Sequence, residues 1–454
     1  MTRWKGWILT LQGKNSTISQ RAPRRRRTPG QPAALAGPGE NAHGWCRRCH
    51  LHPSDFHGLR QLAATALEGG LDLAQELHES IAGAFLRIQP VGALTAFLYQ
   101  KARSSSRILD RCLTRLLPPH SSRPAGWEST AEREAVLAAI NGLIGDHLAE
   151  SGNPMQIPMR LRVGGKPLPA TPEALAAALK PASGKLLVLI HGLCRSDLQW
   201  RRNHHDHGEA LARDLGYTAV YLHYNSGLHI SSNGKQLAGQ LEALYLAWPV
   251  PVEEISIVGH SMGGLLARSA CHYAGLAGHE WLAHLRNMVF LGTPHHGASL
   301  ERGGNWLTAV LGRNRYTAPF ARLGRIRSAG ITDLRYGNLR DEDWVGLDRF
   351  EHGDDRREPV PLPRGVRCYA VAGSVGKSDG DLRERLLGDG LIPLDTALGK
   401  HVHGRHSLSI PKSRQWVAYG VHHLDLLSSL AVYQRIRSWL APAGMRSRRS
   451  ARRP

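Results

Sequence analysis

Ile255-Ser256-Ile257-Val258-Gly259-His260-Ser261-Met262-Gly263-Gly264-Leu265-Leu266-Ala267-Arg268 is the stretch on which the reading of this 454-residue chain turns. Its first four residues are rich in β-branched apolar side chains and predict a short buried strand. Gly264 to Ala270 predicts a helix. Between them lies a tight turn with Ser261 at its centre and Gly259 and Gly263 two residues to either side. A turn that sharp leaves no room for side chains at the flanking positions, hence glycine at both. Ser261 is then lifted above the strand end, over the first N–H groups of the helix. Those groups and the helix dipole favour an anion formed at that place.

A serine hydroxyl is a weak nucleophile until a positioned base takes its proton, so a histidine and an acid are required further on. Leu387-Gly388-Asp389-Gly390-Leu391-Ile392-Pro393 offers Asp389 in a glycine-rich turn after the strand candidate Val366–Val371. Asp381 and Asp395 compete with it for the acid's role. Val421-His422-His423-Leu424-Asp425-Leu426-Leu427 offers His423, before a helix running to about Leu440. Its neighbour His422 carries the same chemistry. The chain order is serine, acid, histidine. A second apolar strand, Lys185–Ile190, leads into His191-Gly192-Leu193-Cys194. The backbone N–H groups of Leu193 and Met262 are the candidate oxyanion donors.

Ile190-His191-Gly192-Leu193, the Gly-His-Ser-Met-Gly-Gly turn, Phe290-Leu291-Gly292-Thr293-Pro294-His295-His296-Gly297, Gly388-Asp389-Gly390 and His423-Leu424-Asp425-Leu426 together resemble the lipase-like α/β-hydrolases. The likeness is to the branch with bacterial triacylglycerol lipases and GPI inositol-deacylases, and it spans roughly residues 183–440. It implies an α/β-hydrolase fold with a mostly parallel central sheet. It also implies serine hydrolase chemistry on lipid-like carboxylic esters, with no cofactor and no metal. On the same resemblance Ser261, Asp389 and His423 are the catalytic residues, Leu193 and Met262 the oxyanion hole, and Gly259 and Gly263 the elbow glycines. His295 and His296 are then structural, at the base of the pocket.

The rest of the chain divides by composition. Residues 1–52 hold ten basic residues and one acidic, Glu40, amid Pro, Gly, Ser and Gln. Such a segment buries too little apolar area to order itself, and disorder is expected. Residues 53–152 form a helical region: apolar side chains from Leu59 to Phe85, from Leu94 to Leu116, and from Val136 to Leu148 recur at helical spacing. Ser129-Thr130-Ala131-Glu132 is the expected capping box of the last helix. The expected catalytic domain is 153–441, with helices at Gly208–Leu215 and Gln236–Ala247 and a strand at Ala219–Leu222. An arginine-rich insertion, about 298–345, is the expected lid, and residues 442–454 a disordered basic tail.

The net charge of +21 invites a nucleic-acid reading, but two thirds of it lies in the two tails. The expectation is no specific nucleic-acid binding, and peripheral contact with an anionic membrane surface. Cys46-Arg47-Arg48-Cys49-His50 matches a haem-attachment pattern, and His43 and His52 nearby would suit zinc; in an arginine-rich tail neither is assigned. No stretch of 18 apolar residues occurs, so a cytoplasmic or peripherally membrane-associated protein is expected. An acyltransferase of the same fold, or an inactive scaffold, are the alternatives to a hydrolase.

Overall fold

Strand β3, Lys185–Ile190, shows how the core is built. Its alternate residues feed two separate clusters: Leu186, Val188 and Ile190 pack on one face of the sheet, Leu187 and Leu189 on the other. A strand buried on both faces reads as a continuous apolar run, which is why Leu-Leu-Val-Leu-Ile was legible. The same alternation continues in β5 (Glu254–His260), β6 (Leu285–Leu291) and β7 (Arg367–Ser374). Met288 and Phe290 face one cluster, for example, and Val289 and Leu291 the other.

The eight strands lie in the order β2-β1-β4-β3-β5-β6-β7-β8. β1 (Arg160–Val163) and β2 (Lys166–Pro167) form an antiparallel hairpin, and β1 runs antiparallel to β4 (Thr218–His223). From β4 to β8 (Gln415–Tyr419) every pairing is parallel. Among the described residues after 130, the α-helices in chain order are α1 (Ala131–Glu150), α2 (Pro172–Ala178), α3 (His207–Leu215), α4 (Ile230–Leu246), α5 (Met262–Ala277), α6 (Trp281–His284), α7 (Ala329–Asp333), α8 (Leu394–Ala397) and α9 (Leu430–Leu440). Helices α4 and α5 cover one face with Leu237, Leu241, Leu265 and Leu266, while α3 and α9 cover the other with Leu211, Leu215, Val432 and Ile436. This three-layer arrangement around a mostly parallel sheet is the α/β-hydrolase fold.

The structure is a computed structural model that describes residues 52, 54–67, a few positions between 100 and 112, 129–179, 181–297, 327–347, 355–376 and 388–442. The basic stretch before residue 52 with its Cys-x-x-Cys-His pattern, most of the helical region from 68 to 128, the arginine-rich insertion through 326, Asp381 and the tail beyond 442 lie outside the described residues. Those described belong to one compact unit, His50–Pro454.

Local expectations were met unevenly. Helix α1 begins one residue later than the Ser129 capping box implies. Thr130 is the cap, its hydroxyl accepting the N–H of Arg133, so Glu132 is not at the position that would close a box. Helix α4 starts at Ile230 rather than Gln236; Ser231, Asn233 and Gly234 are poor helix formers, yet all three are buried against the body. Helix α1 packs on the central core through Ala139 and Leu143. Arg133 at its start forms an ion pair of 2.6 Å with Asp55 in the helical run over residues 54–67. Residues 327–347 are also docked on the body: Ser328 donates to the Gly142 carbonyl and Gly330 N–H to that of Gly227.

Candidate active site

The strand–turn–helix at Ser261 has the strained geometry that its glycines foretell. Ser261 sits at φ 55° and ψ −128°, which costs a non-glycine residue of order 1–3 kcal/mol. A Cβ on Gly259 would lie 2.7 Å from the backbone of Gly264, and one on Gly263 would collide with the carbonyl of Ile190. Ser261 N–H donates to the carbonyl of Leu291 at 2.8 Å, tying the turn to the end of β6.

Asp389 and His423 are brought together. Nδ1 of His423 lies 2.6 Å from Oδ2 of Asp389, and both side chains are buried. The other carboxylate oxygen accepts the N–H groups of Leu391 (3.0 Å) and Ile392 (2.8 Å), so the acid is oriented by its own turn. His423 N–H donates to the Asp389 carbonyl at 3.1 Å. The neighbouring His422 is exposed, whereas Asp395 is exposed and ion-paired with Lys400 at 3.4 Å. Between these two local rivals and the buried pair the geometry leaves no ambiguity about which side chains meet.

Gly292 links the pair to the serine. It follows Leu291, the acceptor for Ser261, and a Cβ there would lie 3.0 Å from both Asp389 Oδ2 and His423 Nδ1. Its φ of 56° also favours glycine. The three side chains thus follow the C-terminal ends of β5, β7 and β8, where parallel sheets place ligands.

The loop after β3 lies against Ser261: a Cβ on Gly192 would come within 2.8 Å of Ser261 Cβ. Leu193 follows it and Met262 opens α5, and both are buried. Neither N–H has a backbone partner among the described residues. Helix α1 backs this loop, because a Cβ on Gly142 would meet the Cα and N of Cys194 at 2.9 Å.

Two histidines that sequence reasoning left unassigned support the site. His260, next to Ser261, donates from Nε2 to the carbonyl of His423 at 3.0 Å. Burial, with the nearby His423, pushes its pKa well below the ordinary value. His191 is stacked on Tyr224 and its pKa is pushed by burial to about 3. Both stay neutral at pH 7. The only advance signal was adjacency to the motifs. His295 and His296 line a separate cleft with Arg268 and Arg357.

Glu134, Asp197 and His223 are the one set of metal-type donors gathered among the described residues. Nη1 of Arg162 already lies 3.3 Å from each of the two carboxylates, so the cation of this cluster is a guanidinium.

A family described as a domain of unknown function (DUF7379) matches residues 166–333. No curated protein matches the sequence. Among solved structures, the chain is similar to the mature Bacillus licheniformis lipase BlEst2, with 18% identity and a TM-score of 0.37, over 62% of this chain and 98% of that one. It is similar to the Pyrococcus furiosus esterase Pf2001 at 13% identity and a TM-score of 0.33, over 59% and 81%. An esterase from Thermogutta terrifontis follows at 16% identity and a TM-score of 0.34, over 57% and 90%.

Proposed function

We propose that the chain is a serine hydrolase that cleaves carboxylic esters of lipid-like character through an acyl-enzyme intermediate. The observation that carries this reading is the buried 2.6 Å pair of Asp389 and His423, bonded through the His423 carbonyl to His260, the neighbour of a serine held at a strained elbow. In this reading Ser261 Oγ attacks the ester carbonyl while Nε2 of His423 takes its proton. Asp389 holds the imidazole with Nδ1 protonated and stabilises the imidazolium. The N–H groups of Leu193 and Met262 bind the oxyanion, a term worth about 10²–10³ in rate per donor. His423 returns its proton to the departing alcohol. It next removes a proton from water, whose oxygen attacks the acyl-enzyme and releases the acid and the serine. No cofactor enters.

The residues that resemble the branch of triacylglycerol lipases and GPI inositol-deacylases support lipid esters over polar ones. The basic tails outside the described residues would hold such an enzyme at an anionic membrane surface. Among the described residues no helix is long and apolar enough to cross a membrane. A panel of p-nitrophenyl esters of rising chain length tests the reading. Turnover that grows with chain length and vanishes in Ser261→Ala supports it. Turnover unchanged by that substitution overturns it.

A further inference from the structure

His207 opens α3, and its ring is fully buried. Its Nε2 lies 2.8 Å from the carbonyl oxygen of Leu426, three residues after His423, and its Nδ1 lies 2.8 Å from Nε2 of His205. A carbonyl only accepts, so Nε2 of His207 carries the proton. Burial, offset in part by the bond to Leu426, brings the His207 pKa down to about 4, so the ring is neutral at pH 7. Nδ1 is then an acceptor, and His205 must donate to it. Among the described residues no backbone N–H bonds the Leu426 carbonyl, so His207 supplies the donor that this buried oxygen needs. Leu426 matters because of what it borders. A Cβ on Gly292 would meet Asp389 Oδ2 and His423 Nδ1 at 3.0 Å, and the same point is 2.9 Å from Leu426 Cδ1.

The segment before His207 reaches for the same turn. Arg202 and His205 exchange two backbone hydrogen bonds of 2.9 Å, closing a hairpin whose tip, Asn203 and His204, sits at φ 48° and 59°. Left-handed backbone at two successive non-glycine residues is strained, and such strain persists where surrounding contacts enforce it. Here those contacts run to the turn after His423: Nη2 of Arg202 lies 3.1 Å from Asp425 Oδ1, and Nδ2 of Asn203 donates to Ser428 Oγ at 3.3 Å. Tyr433 of α9 packs on both rings, edge-on to His205 at 5.2 Å and stacked on His207 at 6.1 Å. Asp206 caps α3 through the N–H groups of Gly208 and Glu209 and accepts the hydroxyl of Tyr221, which anchors the hairpin to β4.

We propose that His207 is a positioning residue for His423: it holds the turn after that histidine through Leu426, and the strained Arg202–His205 hairpin fixes the tautomer in which it can donate. The inference rests on the proposed role of His423 as the base. His207 touches no substrate and acts only on where the His423 imidazole stands.

The test compares His207→Phe, which keeps a flat ring against Tyr433 but cannot donate, with His207→Gln, whose amide N–H reaches the place of Nε2. Turnover of a p-nitrophenyl ester is expressed per site titrated with a fluorophosphonate, so that unfolded protein is not counted. The expected result is a kcat lowered by about 10²-fold in His207→Phe with KM unchanged, and restored to within about threefold of wild type in His207→Gln. A role in stability alone predicts lower melting temperatures with an unchanged kcat per site, and that result overturns the proposal. A second readout needs no substrate: the proton resonance of Nδ1–H of His423, shifted far downfield by its short bond to Asp389. It should be present in wild type, lost to solvent exchange in His207→Phe and regained in His207→Gln. If wild type turns over no ester, the ester reading fails by itself and this resonance still decides the inference. Should His207→Phe not fold, the double variant Arg202→Met, His205→Leu removes two partly exposed members of the clamp. It should lower kcat by about threefold and broaden the resonance; no change in either overturns the proposal.

Discussion

The carboxylate of Asp389 divides its work: Oδ2 holds Nδ1 of His423 at 2.6 Å, while Oδ1 is pinned by the N–H groups of Leu391 and Ile392. Asp389→Asn keeps the shape of this arrangement but gives His423 an amide that can donate, favouring the wrong tautomer. Ester turnover should fall by about 10⁴-fold with little change in KM. His422→Ala should leave turnover close to wild type, since His422 is exposed. Kinetics of the two variants side by side check the pair, and a large loss in His422→Ala would contradict it.

Gly292 is the position at which the site tolerates no side chain. A methyl group there would press on both members of the acid–base pair at 3.0 Å. A displacement of about 1 Å in such a pair is worth on the order of 10²-fold in rate. Gly292→Ala should therefore lose at least that much activity while keeping its far-ultraviolet circular dichroism. Full activity would show that the pair does not sit where it is described.

Helix α1 packs through Gly142 against the backbone of Cys194, in the loop that carries Leu193. If Leu193 N–H is an oxyanion donor as proposed, Gly142→Val should push that donor out of place. The expected loss is about 10²–10³ in kcat with KM unchanged. A trifluoromethyl ketone, which mimics the tetrahedral intermediate, should lose affinity in parallel. Loss of both kcat and substrate binding would instead mean general damage to the fold.

Acid should destabilise this protein earlier than its carboxylates alone would require. Burial holds the pKa of His191 at about 3 and that of His207 at about 4, with His260 and His295 also well below the ordinary value. Because the folded pKa values are depressed, the unfolded chain binds more protons as pH drops below about 6.5. Each such histidine removes about 1.4 kcal/mol of stability per pH unit between there and its folded pKa. Calorimetry should give a melting temperature that is flat from pH 8 to 7 and falls steeply from 6.5 to 5. A flat profile down to pH 5 would mean that these rings are charged or solvated in the native state.

The catalytic-type residues were legible because each sits in a short motif whose spacing has a mechanical cause: the glycines around Ser261, the glycine-rich turn of Asp389, the strand before His191. The parallel strands were legible because burial on both faces leaves a plain apolar run. Strand β8 escaped notice, being a short edge strand with only Ala418 buried in Gln415–Tyr419. The hairpin of β1 and β2 was equally silent, four residues against two joined by Gly164 and Gly165. What Gly292, Gly142, His260 and Arg268 do depends on partners 27 to 163 residues away in the chain. No periodicity along the chain records such contacts.

Labelling with a fluorophosphonate, with the modified residue located by peptide mass analysis, tests directly whether Ser261 is an activated nucleophile. One adduct is expected, on Ser261 of the wild-type chain, slowed strongly in His423→Ala and absent in Ser261→Ala. A folded wild-type chain that takes no label with or without detergent, or that is labelled at another residue, would contradict it.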